Sequence, residues 1–222
     1  MFPLYDSSPR TRFPIINYLI IALNIYVFYL QLTASSFERF TTQYAFIPGE
    51  FTFYNPESYL YILSSIFLHG GLFHIASNLW FLHIFGDNVE DRLGHLQYLL
   101  FYLGGGIVAT LAQYAVDPGN MIPVVGASGA ISAVSGAYFV LFRHSKIKSL
   151  VVLGIFLTTA NLPVWFFLGY WFVLQLVSGV GSFDVMSSTE GGVAFFAHIG
   201  GFVFGWLAAH LLPQNKPAND II

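Results

Sequence analysis

Residues 123–142 read PVVGASGAISAVSGAYFVLF, and a basic segment carrying Arg143, Lys146 and Lys148 follows at once. From Gly126 to Phe142 there is no charged residue, and small residues recur at four-residue spacing, Gly129 with Ala133 and Ser132 with Gly136. A run of this kind suits a helix crossing hydrocarbon, where every backbone polar group must be satisfied within the segment. Its small faces admit close approach by a second helix. Composition extends the reading to the whole chain. Of 222 residues 56% are hydrophobic, 18% aromatic and only 9% charged, with a mean hydropathy of +0.68. A soluble domain is about a quarter charged, so a soluble enzyme and a disordered protein are both excluded. A net charge of −3 offers no basic face for nucleic acid. The absence of cysteine removes disulfides, thiolate metal sites and cysteine nucleophiles.

Outward from this run, further apolar stretches predict an all-α membrane protein with six transmembrane helices. They are expected over residues 15–32, 72–89, 96–116, 126–142, 163–178 and 193–212, between tails at 1–13 and 213–222. The first could be read as a signal peptide, but its apolar run is long and no A-x-A site follows, so it is kept as a span. Gly70-Gly71 breaks the second apolar region, which puts the aromatic-rich segment Glu50–Leu68 in the membrane interface. Residues 149–178 are too long for one crossing at 1.5 Å per residue. Pro163 therefore opens a helix with Asn161 near its cap, and Ser149–Leu162 becomes an interfacial element. Six crossings gather Arg10, Arg12, Arg92, Arg143, Lys146, Lys148 and Lys216 on one side. Arg39 falls on the other with Glu38, Glu50, Glu57, Asp117, Asp184 and Glu190. Positive charge favours the cytoplasm, so both termini are expected there, in a bacterial-type plasma membrane.

Polar residues inside such helices are costly and mark function. His74 and Asn78 stand at i, i+4 on one helix face. Ser128 opens the 126–142 helix within Gly126-Ala127-Ser128-Gly129, and His198 sits in Ala197-His198-Ile199-Gly200-Gly201. All four fall within a few turns of the non-cytoplasmic helix ends, so one pocket can hold them. Gly201 and Gly205 repeat the four-residue spacing, and contact between the two glycine-bearing helices would join Ser128 to His198 across the intervening chain. Taken singly, a serine more often bonds its own helix and a histidine or asparagine more often cross-links helices. Taken together they fit acyl transfer: a serine nucleophile, an imidazole base, and amide or imidazole donors for an oxyanion. With no carboxylate at that depth the arrangement is a dyad. A zinc site from His69, His74 and His198 lacks a carboxylate or HExxH motif, so no metal is expected. A transporter would need the inverted repeat that is not visible here.

These motifs resemble those of the rhomboid intramembrane serine proteases. The family's GxSG appears as Gly126-Ala127-Ser128-Gly129, its H-x₄-H-x₃-N as His69, His74 and Asn78, and its AHxGG as Ala197–Gly201 with Gly205 beyond. Glu90-Asp91-Arg92-Leu93-Gly94 is similar to the E-x-R-x-G after its second helix. The resemblance spans residues 44–212. It implies Ser128 as nucleophile, His198 as general base and acid, and an oxyanion hole of His74, Asn78 and the Ser128 N–H. Gly126, Gly129, Gly136, Gly201 and Gly205 are expected to serve helix packing, and the resemblance implies a structural or loop-positioning role for His69. No cofactor is implied, and the partners are transmembrane protein substrates cut within the lipid bilayer. The fifth helix would act with the second as the lateral access side, and Glu50–Leu68 as a membrane-embedded loop. Two departures stand out. The aromatic that many relatives carry one turn after the serine is Ser132 here, and Tyr61-Ile62 stands near the position of a Trp-Arg pair. With Ser132, orientation of His198 falls to packing, to the Ser132 hydroxyl or to water. A relative lacking activity would be a scaffold binding membrane clients, but such proteins typically lose the serine or histidine, and both are present.

Overall fold

The computed structural model describes residues 1–154, 156–181 and 193–214. Lys216, Asp184 and Glu190 of the charge count, and the last eight residues of the C-terminal tail, lie outside them. The elements run β1 (Phe2–Asp6), α1 (Ile15–Thr33), α2 (Phe37–Tyr44), a 3-10 turn (Pro48–Glu50), α3 (Pro56–Ser65), α4 (Leu72–Leu93) and α5 (His95–Val116). After these come α6 (Ser128–Leu141), β2 (Lys146–Leu153), β3 (Phe156–Pro163), α7 (Val164–Gly181) and α8 (Phe195–Leu211). By length and composition α1, α5 and α7 can each cross a membrane, while α6 and α8 are apolar but shorter.

Helix α6 forms the centre. It packs most extensively on α8 and also against α4, α5 and α7. Ten of its fourteen residues, Gly129 to Tyr138, are buried. The glycines set the contact distance. A Cβ added at Gly136, Gly201 or Gly205 would strike the backbone carbonyls of Phe202, Gly129 and Ala133 respectively. Gly129 meets Ala109 of α5 instead. Gly126, expected as a packing glycine at the start of this helix, lies outside it in the preceding loop.

Helix α1 is held by a polar seam. Asn17, Asn24 and Gln31 recur every seven residues and are fully buried. Asn17 accepts from the Tyr98 hydroxyl (2.7 Å) and donates to the Leu82 carbonyl (3.2 Å). Gln31 grips the His69 backbone from both sides, accepting its N–H at 3.0 Å and donating to its carbonyl at 3.1 Å. At the other end the Glu90 carboxylate accepts the Ile16 and Asn17 N–H groups at 3.0 and 2.7 Å, satisfying donors that a helix start leaves open. Gly94, at φ +83°, ends α4 and begins α5 in a single residue, a conformation glycine adopts without steric cost.

The all-α expectation fails at residues 146–163. They form an antiparallel hairpin, and β1 joins β2 to complete a three-stranded sheet, so 1–13 is not a free tail. Asn161, expected near a helix cap, pairs with Lys148, and α7 begins at Val164. The physical reason is composition. Ile147, Val151, Val152, Thr158 and Thr159 are β-branched and favour pleated surfaces, and Gly154, at φ +61°, turns the chain. The sheet lies along α4: the Trp80 indole donates to the Pro3 carbonyl at 2.7 Å, and Phe2 stacks on the same ring. Lower down, the Asn88 amide donates to Asp6 at 3.0 Å, and Asp6 also accepts from the Tyr138 hydroxyl.

Candidate active site

The loop before α6 is fixed from two directions. Gly126 N–H donates to the Ser65 carbonyl at 2.9 Å, and Val124 N–H to the Phe46 carbonyl at 2.8 Å. These bonds tie the loop to α3 and to the segment before the 3-10 turn. Gly126 itself has φ +124°, and a Cβ there would come within 2.7 Å of His74 Nε2. That same point lies 3.5 Å from Ser128 Oγ, so a bare backbone at 126 leaves room for His74 beside the serine.

Ser128 is the first residue of α6, and no side chain caps that helix. A helix start leaves its first N–H groups without intrahelical acceptors, and their partial positive charge favours an anion. The Ser128 Oγ lies 2.8 Å from His198 Nε2, across the α6–α8 contact. His74 Nδ1 accepts the Gly70 N–H at 3.3 Å, which puts its ring proton on Nε2, the nitrogen facing Gly126. Asn78, one turn along α4, is buried, and its Nδ2 has no hydrogen-bond partner among the described residues. Ser128, His198, His74 and Asn78 line one cavity of about 1070 Å³, which also borders the residues before α6 and before α8.

The chemistry of this set is specific. A hydroxyl within hydrogen-bond reach of an imidazole nitrogen can be activated as a nucleophile. An imidazole N–H, an unsatisfied amide and a helix-start N–H can stabilise charge developing on a carbonyl oxygen. Among the described lining residues there is no carboxylate. His69 is not in the cavity wall. It is fully buried behind it, edge-on to His74 with ring centroids 5.2 Å apart, and burial holds its pKa down to about 3, so it is neutral.

Two neighbours of His198 escaped the sequence reading. Gln175 Oε1 lies 2.8 Å from His198 Nδ1, and the Trp171 ring leans over the imidazole at a 6.0 Å centroid distance and 36°. Both project from α7, four residues apart. A glutamine within an apolar span is the signal that marks them, by the same cost argument that singled out Asn78. Ser132 engages elsewhere, its hydroxyl donating to the Ser128 carbonyl at 2.6 Å.

The Rhomboid domain profile matches residues 56–215. Rhomboid protease GluP of Bacillus subtilis (strain 168) is 29% identical over 203 residues, covering 91% of this chain and 36% of its own. The mitochondrial presenilin-associated rhomboid-like protein of Bos taurus is 28% identical over 190 residues, covering 84% and 45%. The putative rhomboid protease YdcA of Bacillus subtilis (strain 168) is 27% identical over 157 residues, covering 70% and 68%. The chain thus spans less than half the length of the first two of these relatives.

Proposed function

The chain belongs to the rhomboid family and is an integral membrane protein, and from that premise we propose that it is a serine endopeptidase cutting other membrane proteins in or near their transmembrane segments. The observation that carries the reading is the 2.8 Å contact between Ser128 Oγ and His198 Nε2 beside an Asn78 Nδ2 that has no partner among the described residues.

The pathway follows from those groups. Ser128 Oγ attacks the scissile carbonyl carbon as its proton passes to His198 Nε2. The oxyanion accepts hydrogen bonds from His74 Nε2–H, Asn78 Nδ2 and the Ser128 N–H. His198 then donates its proton to the departing amine, leaving an acyl-serine. Water, deprotonated by the same imidazole, hydrolyses that ester and restores Ser128. Each proton is taken up and returned by one side chain, so no cofactor is required.

The proposal includes six membrane crossings, α1, α4, α5, α6, α7 and α8, with both termini cytoplasmic in a bacterial-type plasma membrane. Supporting it, Arg10 pairs with Asp87 at 2.8 Å and Arg92 lies over the Phe142 ring, which gathers cations at one end of the bundle. The Ser128 and His74 ends of their helices are the opposite ones.

The test is cleavage of a single-pass substrate with small residues near the outer end of its span, in detergent and in lipid. The parent should cut it, and Ser128→Ala and His198→Ala should each abolish the cut. A folded parent that binds the substrate in both media without cutting it would replace this reading with that of a client-binding scaffold.

A further inference from the structure

Among the described residues His198 makes two side-chain hydrogen bonds, and only one of them is to Ser128. On its far side Nδ1 meets Gln175 Oε1 at 2.8 Å. An amide oxygen only accepts, so this contact requires hydrogen on Nδ1 and leaves the Nε2 lone pair directed at Ser128 Oγ. That is the one neutral tautomer in which His198 can take the serine proton. With the opposite tautomer Nε2 would donate to the serine, and base catalysis would stop.

Among the described residues no other neighbour serves this task. The Ser132 hydroxyl donates to the Ser128 carbonyl and makes no hydrogen bond to His198. Trp171 flanks the imidazole and has no acceptor. No carboxylate borders the cavity among the described residues. Ser128 and His198 sit on α6 and α8, whose backbones meet at glycines, whereas Gln175 comes from α7, which is less buried than α1 or α5.

Resting on the protease reading above, we propose that Gln175 is a positioning residue for catalysis: its amide oxygen fixes the tautomer and ring orientation of His198, completing a Ser128–His198–Gln175 triad with a neutral third member. It touches no substrate and exchanges no proton. A carboxylate in this place would also stabilise the imidazolium formed in the first step, and the amide supplies orientation with much less of that charge stabilisation.

The experiment compares the parent, Gln175→Met and Gln175→Glu in the full chain. Methionine keeps the length of the side chain and lacks the acceptor; glutamate keeps an acceptor oxygen. Cleavage kinetics, Tm and the rate at which a fluorophosphonate labels Ser128 are measured on each. Gln175→Met should lower kcat by about tenfold or more, with KM within about twofold and Tm unchanged, and should slow labelling in parallel. Gln175→Glu should recover most of both rates. Parental kcat and labelling in Gln175→Met overturn the proposal, as does equal impairment of the two variants or a loss that follows Tm alone. A folded parent that neither cuts nor labels strikes the protease reading instead, which separates the two failures.

Discussion

The Ser132 hydroxyl donates to the carbonyl of Ser128, one turn earlier on the same helix, at 2.6 Å. This bond is local to α6 and leaves His198 to be oriented from α7. Ser132→Ala should therefore cleave substrate within about twofold of the parent rate, since an i−4 bond of this kind contributes little to a helix. A tenfold loss of kcat at unchanged Tm would transfer the orienting role to Ser132.

Asn78→Ala should lower kcat by about 10²- to 10³-fold, the usual cost of removing one oxyanion donor. KM and Tm should hardly change, because the Asn78 Nδ2 gives up no hydrogen bond in the resting protein. Steady-state kinetics with a thermal melt check both halves. A lower Tm with normal kcat would make Asn78 a helix cross-link.

Gly126→Ala and Gly205→Ala should fail in different ways. At Gly126 the added methyl meets the tip of His74 at a φ of +124°, so kcat should drop about tenfold or more in a protein that still folds. At Gly205 it meets the Ala133 backbone carbonyl, which no rotamer change relieves, and stability should fall by about 1–3 kcal/mol. Parallel activity and unfolding measurements separate the two.

Stability should fall below pH 6.5. His69 is neutral in the fold, with a pKa of about 3 against an ordinary 6.5, so between those values the unfolded chain binds the extra proton. The stabilisation is complete above pH 6.5 and declines as pH falls, by up to about 1.4 kcal/mol per unit. His69→Gln should flatten that dependence relative to the parent, as read from unfolding in detergent between pH 7 and 5. Identical slopes would remove His69 as the source.

The residues best read from sequence are those whose chemistry conflicts with lipid. Ser128, His74, Asn78 and His198 stand out because each sits in an apolar run, and the structure brings all four to one cavity. Gln175 met the same criterion without a motif around it, and its partner is determined by how α7 packs beside α8. The Asn17, Asn24 and Gln31 seam was equally visible as a seven-residue repeat, while the groups it binds on α4, α5 and the His69 loop were not. The hairpin at 146–163 was hidden for another reason. An apolar run without clear alternation does not separate strand from helix. Nothing local marks Phe2–Asp6 as the third strand, because its partner lies far along the chain.

That distance bears on how the protein is made. Ser7 and Lys146 are hydrogen-bonded neighbours 139 positions apart. During translation β1 leaves the ribosome long before β2 exists, and α1, α4, α5 and α6 are all synthesised in the interval. Segments generally fold in the order they emerge, at about 5–20 residues per second. Residues 2–6 therefore wait several seconds with an unpaired strand edge. Until the hairpin arrives, β1 lacks its β2 partner and leans on the Trp80 side of α4 through Phe2 and Pro3.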